Sequence, residues 1–537
     1  MTDGYDYIIV GAGSAGCVIA DRLSADGDAQ VLLVEAGGSD TDAVINDGRI
    51  ASTFALWAPG QPTDWGYVTP PQAALGDRSV SIARGKVLGG CSSVNAMMFV
   101  RGNRLDYDSW AAAGNQGWGY DDVLPLFRRM EDFEGGGSAL RGGDGPLSVV
   151  YVGPLTPVAQ LLFEAGPEFG LADQGPDFDY NGERQDGTVF RYQANKTRDH
   201  HRASTSVAYL HPALERSQSS GRGNLTLLSN ATAARIVIEN GRATGVELIV
   251  DGARRVIRAQ SEVVLSCGSF GSPQLLMLSG IGPQEELNRH GLPVVSDLPG
   301  VGQNLQDHMS IGVAYLSSRE QDGDPSLMAE TGFFTRTSTR SADQTPDLQI
   351  LHSGLKFMSP QYDQPGNGFT FAPALLQPYS RGSVALRSSD PGELALVRPE
   401  YLSDSRDVDV FVEGIELSRE LAHSRAYAGW VKQELAPGDR AHSRADLVDY
   451  IRANATTLWH PVGTCAMGTG DDAVVDAELR VRGVSNLRVA DASVMPTIVA
   501  GNTNAACIMI GEKAADLIRT ARTSPEPQPA HAGPALR

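Results

Sequence analysis

The sequence predicts an α/β fold built on a parallel sheet, and two observations support this prediction. Residues 7–10 have the pattern of a short apolar strand, and a glycine-rich turn, an apolar helix over 17–23 and a second strand over 31–34 follow. A fully apolar run that ends on a glycine, 263–268, is typical of a central strand buried on both faces. A strand, a helix and a second strand in this order form a parallel unit.

The turn after the first strand has the pattern of a dinucleotide-binding site. Gly11 allows a tight turn, Gly13 lets the backbone approach a pyrophosphate, and Gly16 lets the helix pack closely against the strand. The helix N-terminus offers free N–H groups and a positive dipole end to that pyrophosphate. Glu35 ends the second strand, where its carboxylate would accept from ribose hydroxyls and disfavour a 2′-phosphate. This pattern leaves both NAD and FAD open.

Composition limits the function classes. With 537 residues the chain is long enough for two domains, and its hydrophobic content of 41% is typical of a globular enzyme. The 44 Lys and Arg against 64 Asp and Glu give a net charge of −20, which argues against binding to nucleic acid or an anionic membrane.

The cysteines and the apolar runs of the sequence bear on metal binding, disulfides and location. The five cysteines are scattered without a C-x-x-C pair, so neither a disulfide framework nor a metal site is expected. The chain enters its first strand at once and has no apolar run of membrane-spanning length, which favours a cytoplasmic enzyme.

The remaining segments are predicted in chain order from their local patterns. Glycine-rich stretches at 82–95 and 135–146 indicate loops, and residues 311–400 mix short strands with turns. Alternating runs predict strands at 225–228, 234–238, 243–248 and 254–257, and helical spacing predicts helices at 407–426, 445–454 and 504–520. The Pro/Ala-rich tail, 523–537, is expected to be disordered.

Three further groups of segments resemble one known family. The first contains Arg-Gly-Lys-Val-Leu-Gly-Gly and the third begins with Trp-His-Pro-Val-Gly-Thr-Cys. They span 84–97, then 268–283 with 299–308, then 459–468 with 487–504. Together they closely resemble the glucose–methanol–choline (GMC) family of FAD-dependent oxidoreductases, in the branch of aryl-alcohol oxidases, hydroxymethylfurfural oxidases and choline dehydrogenases. The resemblance covers residues 5–520.

The resemblance implies two discontinuous domains. A Rossmann-like FAD-binding domain with a parallel sheet is expected from residues 1–150, 225–310 and 455–522. An α+β substrate-binding domain with an antiparallel sheet is expected from residues 151–224 and 311–454.

The resemblance also implies which residues hold FAD. Around the ADP half these are Gly11, Gly13, Ser14, Ala15, Gly16, Glu35 and Ala36. Beside the pyrophosphate and flavin ring they are Arg84, Gly85, Val87, Gly90, Asn95, Ala96 and Met97, with Thr503 in the same set. Ala233 is the expected adenine-side backbone contact, and Asp491 and Ala492 would meet the ribityl chain and pyrophosphate.

Two positions bear on the chemistry of the flavin itself. Some relatives carry a histidine at the position of Val94 that attaches covalently to the flavin, and valine has no nucleophilic atom, so FAD is expected to be non-covalent. His460 is the expected proton acceptor, because imidazole titrates close to working pH, while the carbon-bound hydride goes to flavin N5. Asn502 would hold the reacting oxygen by hydrogen bonding.

Two other residues near this chemistry have less defined roles. Trp459 could form an aromatic wall for flat apolar substrates or could position His460. His308 is expected to be structural and not to accept the proton.

The function implied is oxidation of a primary alcohol, aromatic, furanic or otherwise neutral, to the aldehyde, with O2 or another electron acceptor. No residue type distinguishes an oxidase from a dehydrogenase. A choline-type dehydrogenase is one alternative, and a redox-neutral relative such as a hydroxynitrile lyase or fatty-acid photodecarboxylase is another.

Overall fold

The computed structural model describes residues 4–321 and 323–523. The predicted disordered tail therefore lies outside the described residues, apart from Thr523, which ends the last helix. In chain order the strands are β1 (Tyr5–Val10), β2 (Val31–Val34), β3 (Tyr67–Val68), β4 (Ser81–Ile82), β5 (Glu131–Phe133), β6 (Leu147–Tyr151), β7 (Phe190–Arg191), β8 (Gln193–Ala194), β9 (Leu225–Leu228), β10 (Ala231–Glu239), β11 (Arg242–Val250), β12 (Ala253–Leu265), β13 (Ile281–Gly282), β14 (Ser296–Asp297), β15 (Met309–Ser310), β16 (Val313–Ser317), β17 (Thr331–Thr335), β18 (Leu348–Ser353), β19 (Gly368–Leu375), β20 (Ser383–Ala385), β21 (Leu396–Arg398), β22 (Val431–Ala436), β23 (Thr456–Thr457) and β24 (Leu487–Val489).

Helices cover the parallel sheet and back the second sheet. In chain order they are α1 (Ser14–Ser24), α2 (Ala43–Asn46), α3 (Ile50–Leu56), α4 (Arg104–Ala112), α5 (Tyr120–Met130), α6 (Pro157–Ala165), α7 (His211–Ser219), α8 (Gly268–Leu278), α9 (Gln284–Arg289), α10 (Ser405–Ala422), α11 (Arg444–Asn454) and α12 (Asn504–Thr523). Short 3₁₀ turns include Gly90–Ser93 and Ala492–Val494, and both lie in segments predicted to hold the cofactor.

The first sheet has the order β10-β11-β12-β1-β2-β9, with β24 beside β12. β1 runs parallel to β2 and β12, and its register sets Ile8 against Leu32 on one side and Val263 on the other. β2 is buried along its whole length, as its apolar sequence requires. The predicted α/β fold with a parallel sheet is confirmed.

One strand differs from its prediction. The patterns at 254–257 and 263–268 indicated two strands, but β12 is one continuous strand that stops at Leu265. Its first half pairs antiparallel with β11, and its second half lies parallel between β1 and β24. The polar residues that seemed to separate the runs, 258–262, are tolerated because they are exposed or half-buried and no Gly or Pro interrupts them.

The second sheet is antiparallel, with the order β22-β16-β19-β18-β17-β7 and with β15 joining β19 to β23. In its register Gln349 lies opposite Ala374, and Ala374 lies opposite Ser310 on the other side. This confirms the antiparallel sheet expected beside the parallel one. β15 and β23 fall within ranges predicted for the FAD-binding domain, and the domain boundaries themselves stay predictions.

The first and last helices pack against each other. A Cβ on Gly511 of α12 would lie 2.9 Å from the Ala15 carbonyl oxygen, so glycine allows this close approach. The Ser14 hydroxyl donates to Asn504 Oδ1 at 2.8 Å. Arg22 forms a 2.7 Å ion pair with the fully buried Glu512. Among the described helices, none combines the length and apolar character that a membrane span needs.

Candidate active site

A cavity of about 790 Å³ runs from the glycine-rich turn after β1 to one face of the antiparallel sheet. This volume is in the range of about 300–1,000 Å³ found for cofactor and substrate sites. Nearly all the residues predicted for the site line it: Gly11, Gly13, Ser14, Ala15, Glu35, Ala36, Arg84, Gly85, Gly90, Asn95, Ala96, Met97, Ala233, Trp459, His460, Asp491, Ala492, Asn502 and Thr503.

Gly16 and Val87 are predicted site residues that do not line this cavity. A Cβ on Gly16 would collide with the Gly11 carbonyl oxygen, so this glycine serves the close packing of α1 on β1. The Val87 side chain is buried against Ile45 and Leu56, behind the cavity wall. This apolar side chain packs into a separate small core, and a contact of Val87 with the cofactor stays a prediction.

The nucleotide end of the cavity has the features that a pyrophosphate requires. A Cβ on Gly90, whose φ is +54°, would lie 2.7 Å from Gly13 Cα, so two glycine-containing turns face each other. The N-terminus of α1 has no side-chain cap, which leaves its first N–H groups free for an anion.

Glu35 is held rigidly at the end of β2. Its Oε2 accepts from the Ala12 N–H at 2.8 Å and its Oε1 from the Gly37 N–H at 2.7 Å. Burial raises the pKa of this carboxyl, and the backbone N–H groups oppose that shift. The remaining lone pairs suit a ribose hydroxyl, so this end of the cavity fits the ADP half of a dinucleotide.

Asp491 lies on the cavity wall, but its oxygens are already bonded within the protein. Oδ2 accepts from the Gly268 N–H at 2.9 Å and the Ser272 hydroxyl at 2.6 Å, and Oδ1 accepts from the Ser493 N–H and hydroxyl. Asp491 thus joins the start of α8 to the turn 492–494. The carboxylate thus fixes the backbone here, and the contact of Asp491 with the ribityl chain and pyrophosphate stays a prediction.

The flavin end is formed by a tightly bent segment. Met97 has a φ of +62°, in the left-handed region, and its N–H donates to Asn95 Oδ1 at 2.9 Å. The Arg202 guanidinium donates to that same oxygen and to the Asn95 carbonyl. A non-glycine residue in this conformation costs about 1–3 kcal/mol and persists only where the surroundings enforce it. The hydrogen bonds to Asn95 therefore hold the backbone of Met97 in its left-handed conformation.

The His460 imidazole is contacted at both ring nitrogens. Its Nδ1 lies 3.0 Å from His308 Nδ1, and its Nε2 lies 3.2 Å from Asn502 Nδ2. The backbone N–H of His460 donates to Asp307 Oδ1 at 2.7 Å. The ring is partly exposed to the cavity, so the structure brings together His460 and Asn502 as predicted and adds His308 and Asp307.

The protonation of this group follows from its hydrogen bonds. His308 Nε2 lies 3.0 Å from the Leu376 carbonyl oxygen, which can only accept, so the His308 proton is on Nε2. His308 Nδ1 is then an acceptor and takes a hydrogen bond from Nδ1–H of His460. Nε2 of His460 therefore carries the lone pair, which accepts from the Asn502 amide.

Burial keeps both imidazoles neutral. It lowers the pKa of His308 to about 4. It also lowers the pKa of His460 well below its usual range, and the positive charge of the nearby Arg84 guanidinium acts in the same direction. A neutral His460 has its Nε2 lone pair on the cavity side, where a substrate hydroxyl that takes the place of the Asn502 amide donor can give it a proton.

The contacts of Trp459 are compatible with both of the roles considered for it, and the choice between them stays open. Its indole lies 4.7 Å from that of Trp57, and the two rings form an apolar part of the wall. Its carbonyl accepts from Arg84 at 2.6 Å, and its φ of +60° turns the chain so that His460 follows in place.

Sequence reasoning did not identify Asp307, and it named His308 as structural without its contact with His460. Asp307 is buried and also accepts from the Thr457 and Tyr401 hydroxyls, each at 2.6 Å. Both residues stand in the 299–308 segment that carried the family resemblance, which was the available signal. No cluster of three or more metal-ligating side chains occurs within residues 4–321 and 323–523.

Comparisons with known proteins agree with this geometry. An alcohol dehydrogenase [acceptor] of Pseudomonas putida is 38% identical over 541 residues, covering 96% of this chain and 95% of that protein. An oxygen-dependent choline dehydrogenase of Vibrio vulnificus is 39% identical over 544 residues, covering 96% and 95%. The crystal structure of pyridoxine 4-oxidase from Mesorbium loti superposes with a TM-score of 0.88 at 34% identity, covering 96% of this chain and 99% of that one.

Family models give the same result over most of the chain. The two models described as GMC oxidoreductase match residues 5–310 and 378–511. Together they include both ends of the cavity, the glycine-rich turn and the segment that carries His460. The chain therefore belongs to the GMC oxidoreductase family.

Proposed function

We propose that the protein oxidises a neutral primary alcohol to an aldehyde, with His460 as the proton acceptor. As a GMC oxidoreductase the chain is an FAD-dependent enzyme that acts on CH–OH groups. The observation that carries the specific proposal is the lone pair of His460 Nε2, which faces the cavity beside the Asn502 amide.

The two side chains define where the reacting oxygen would lie. A substrate hydroxyl placed between them would donate its proton to His460 Nε2, and Asn502 Nδ2 would donate to the same oxygen as negative charge develops. FAD, when bound, supplies the ring that accepts the hydride from the adjacent carbon. The resulting imidazolium keeps its Nδ1–H bonded to His308, so the ring does not reorient during proton transfer.

The wall near His460 favours a neutral, flat substrate. The aromatic residues Phe54, Trp57, Phe357 and Trp459 line the cavity, and successive rings lie within 4.7–6.4 Å of one another. Among the described lining residues, the carboxylates are Glu35 and Asp491, both bonded within the protein, and the exposed Glu393.

Choline is the second candidate because a relative with 39% identity is named for it. A quaternary ammonium is held by an aromatic cage, and a nearby carboxylate strengthens that binding. Since no described carboxylate lines the wall around His460, we favour an aromatic or furanic alcohol.

An alcohol panel tests this proposal. Benzyl alcohol, 5-hydroxymethylfurfural and choline are mixed anaerobically with the purified holoenzyme, and bleaching of the flavin absorbance is followed. We expect fast bleaching with the first two and little with choline. A colourless protein, or a flavin that no alcohol bleaches, would contradict the proposal and favour a redox-neutral relative. Parallel assays for peroxide and with an artificial acceptor identify the electron acceptor.

Val94 predicts that the flavin is not covalently attached. Its side chain lines the cavity and offers no nucleophile, and its carbonyl accepts from the Trp57 indole N–H at 2.7 Å. Acid precipitation should therefore release all of the flavin into the supernatant, as measured by its absorbance. Yellow colour that stays with the washed pellet would show a covalent link through another residue.

A further inference from the structure

We propose that Gln349 recognises a hydrogen-bond donor on the substrate, so that the preferred alcohol carries a second hydroxyl or N–H group away from the oxidised carbon. This inference rests on the proposed function and concerns the wall of the same cavity that the antiparallel sheet forms. It names a specificity-determining residue that no motif of the sequence pointed to.

The antiparallel sheet turns one face of β18 towards the cavity. Gln349, Leu351 and Ser353 alternate along this strand and all line the cavity. Ile350 and His352, between them, pack into the core behind the sheet, where His352 bonds to the Thr331 and Tyr427 hydroxyls. Strand periodicity alone therefore points the Gln349 amide into the substrate space.

The Gln349 amide is held at one end and free at the other. Its Nε2 donates to the Tyr192 hydroxyl oxygen at 2.6 Å. Within residues 4–321 and 323–523, no group donates to its Oε1, although the residue is only 2% exposed. A substrate without a donor would cover this amide oxygen and leave it unpaired, at a cost of about 1–3 kcal/mol that a substrate with a donor avoids.

The sheet register places Gln349 on the same side of the cavity as the reacting groups. Gln349 pairs with Ala374, which pairs in turn with Ser310, and strands in a sheet are about 4.8 Å apart. Ser310 lies two residues after His308, whose Nε2–H donates to the Leu376 carbonyl.

The partner of Gln349 lies in the same region. Tyr192 belongs to a buried cluster that also contains Met97, Leu376 and Ala500. The segment that ends in Asn502 and the predicted flavin-side residue Met97 are therefore close to this tyrosine. A substrate that extends from His460 along the sheet would reach Gln349.

The surroundings make this amide selective. The neighbouring lining residues Met328, Ala329, Leu351 and Ala372 are apolar, and the Ser353 hydroxyl already accepts from the Leu355 N–H at 3.1 Å. In an apolar wall a single buried acceptor discriminates strongly, because a substrate without a donor leaves it unpaired. The geometry thus favours a bifunctional alcohol such as an aromatic or furanic diol.

A matched pair of alcohols tests this inference. We compare kcat/KM for 1,4-benzenedimethanol and 4-methylbenzyl alcohol, which differ by one distal hydroxyl, in the wild-type holoenzyme and in Gln349→Met. The wild type should prefer the diol by about tenfold after correction for its two equivalent hydroxyls, and Gln349→Met should bring the ratio close to one. Ile350→Val, on the opposite face of the same strand, is the matched control and should keep the wild-type ratio.

Three results would overturn the inference. The first is a wild-type ratio of the two kcat/KM values near one while 4-methylbenzyl alcohol still reacts. The second is a ratio that Gln349→Met leaves unchanged. The third is a Gln349→Met variant that oxidises both alcohols more slowly to the same extent and has a shifted flavin spectrum. The last would place Gln349 against the flavin. If neither alcohol bleaches the wild-type flavin, the proposed function itself fails and this inference falls with it.

A second variant protects the test against a folding defect. Gln349→Met leaves the buried Tyr192 hydroxyl without its hydrogen-bond donor, which can destabilise the protein. Gln349→Met with Tyr192→Phe removes both polar partners, which is close to neutral for stability when shape is kept. The double variant should also lose the preference for the diol.

Discussion

Replacing His460 with alanine is expected to slow flavin reduction by alcohol by about 10²–10⁴-fold while the protein keeps its FAD. The substitution removes the only described imidazole lone pair that faces the cavity next to Asn502, and an amide cannot accept the proton in its place. The backbone N–H that bonds to Asp307 is retained in the variant, so the local turn has its anchor.

Anaerobic stopped-flow measurement of flavin bleaching, together with the flavin-to-protein ratio, checks this expectation. His442→Ala, at an exposed histidine that does not line the cavity, is the matched control, and its flavin should be reduced at the wild-type rate. If His460→Ala kept most of its reductive rate, another group would be the proton acceptor and the assignment would be wrong.

Replacing His308 with leucine is expected to lower the rate of flavin reduction by about 10²-fold or more, with FAD binding retained. His308 does not touch the substrate in this scheme. It is a positioning residue, because its Nδ1 accepts the Nδ1–H of His460 and so keeps the lone pair on Nε2. In a serine protease, loss of the group that fixes a catalytic imidazole in the right tautomer costs about 10⁴-fold.

The matched variant is His308→Asn, whose side-chain oxygen can replace the Nδ1 acceptor. We expect it to recover at least about a tenth of the wild-type rate in the same bleaching assay, because the His460 tautomer is restored. If His308 only supported the fold, both variants would be slowed equally, because each removes the bond to the Leu376 carbonyl. Equal rates for His308→Leu and His308→Asn would therefore contradict the positioning role.

The sequence allowed the fold class to be predicted because its signals are local. The glycines at 11, 13 and 16 report a turn whose geometry depends on a few adjacent residues, and β2 and β9 have the bounds that their apolar runs indicate. β12 was divided in two because its exposed middle lacks a pattern, and only its pairing with β11, β1 and β24 keeps it extended.

The site residues could be predicted where they belong to a sequence motif. Contacts between segments that are distant in the sequence could not be predicted in this way. His460 and Asn502 were identified, but the contact of His460 with His308, 152 residues away, depends on β15 and β23 pairing. Val87 and Asp491 lie in motif segments, yet one points into a separate core and the other is occupied by protein donors. No sequence pattern identified Gln349, because the direction of its side chain is set by the register of the sheet.

The placement of β24 and α12 has a consequence for biosynthesis. Residues 487–489 complete the parallel sheet beside β12, and Glu512 buries its charge against Arg22 of the first helix. The amino-terminal dinucleotide unit thus lacks the helix that packs on α1, and its sheet lacks β24, until residues 487–523 have been translated. Domains that are contiguous in sequence can fold while the ribosome is still at work. Here the cavity is lined by residues from Val10 to Cys507, so we expect FAD to bind only after both of these segments have been synthesised.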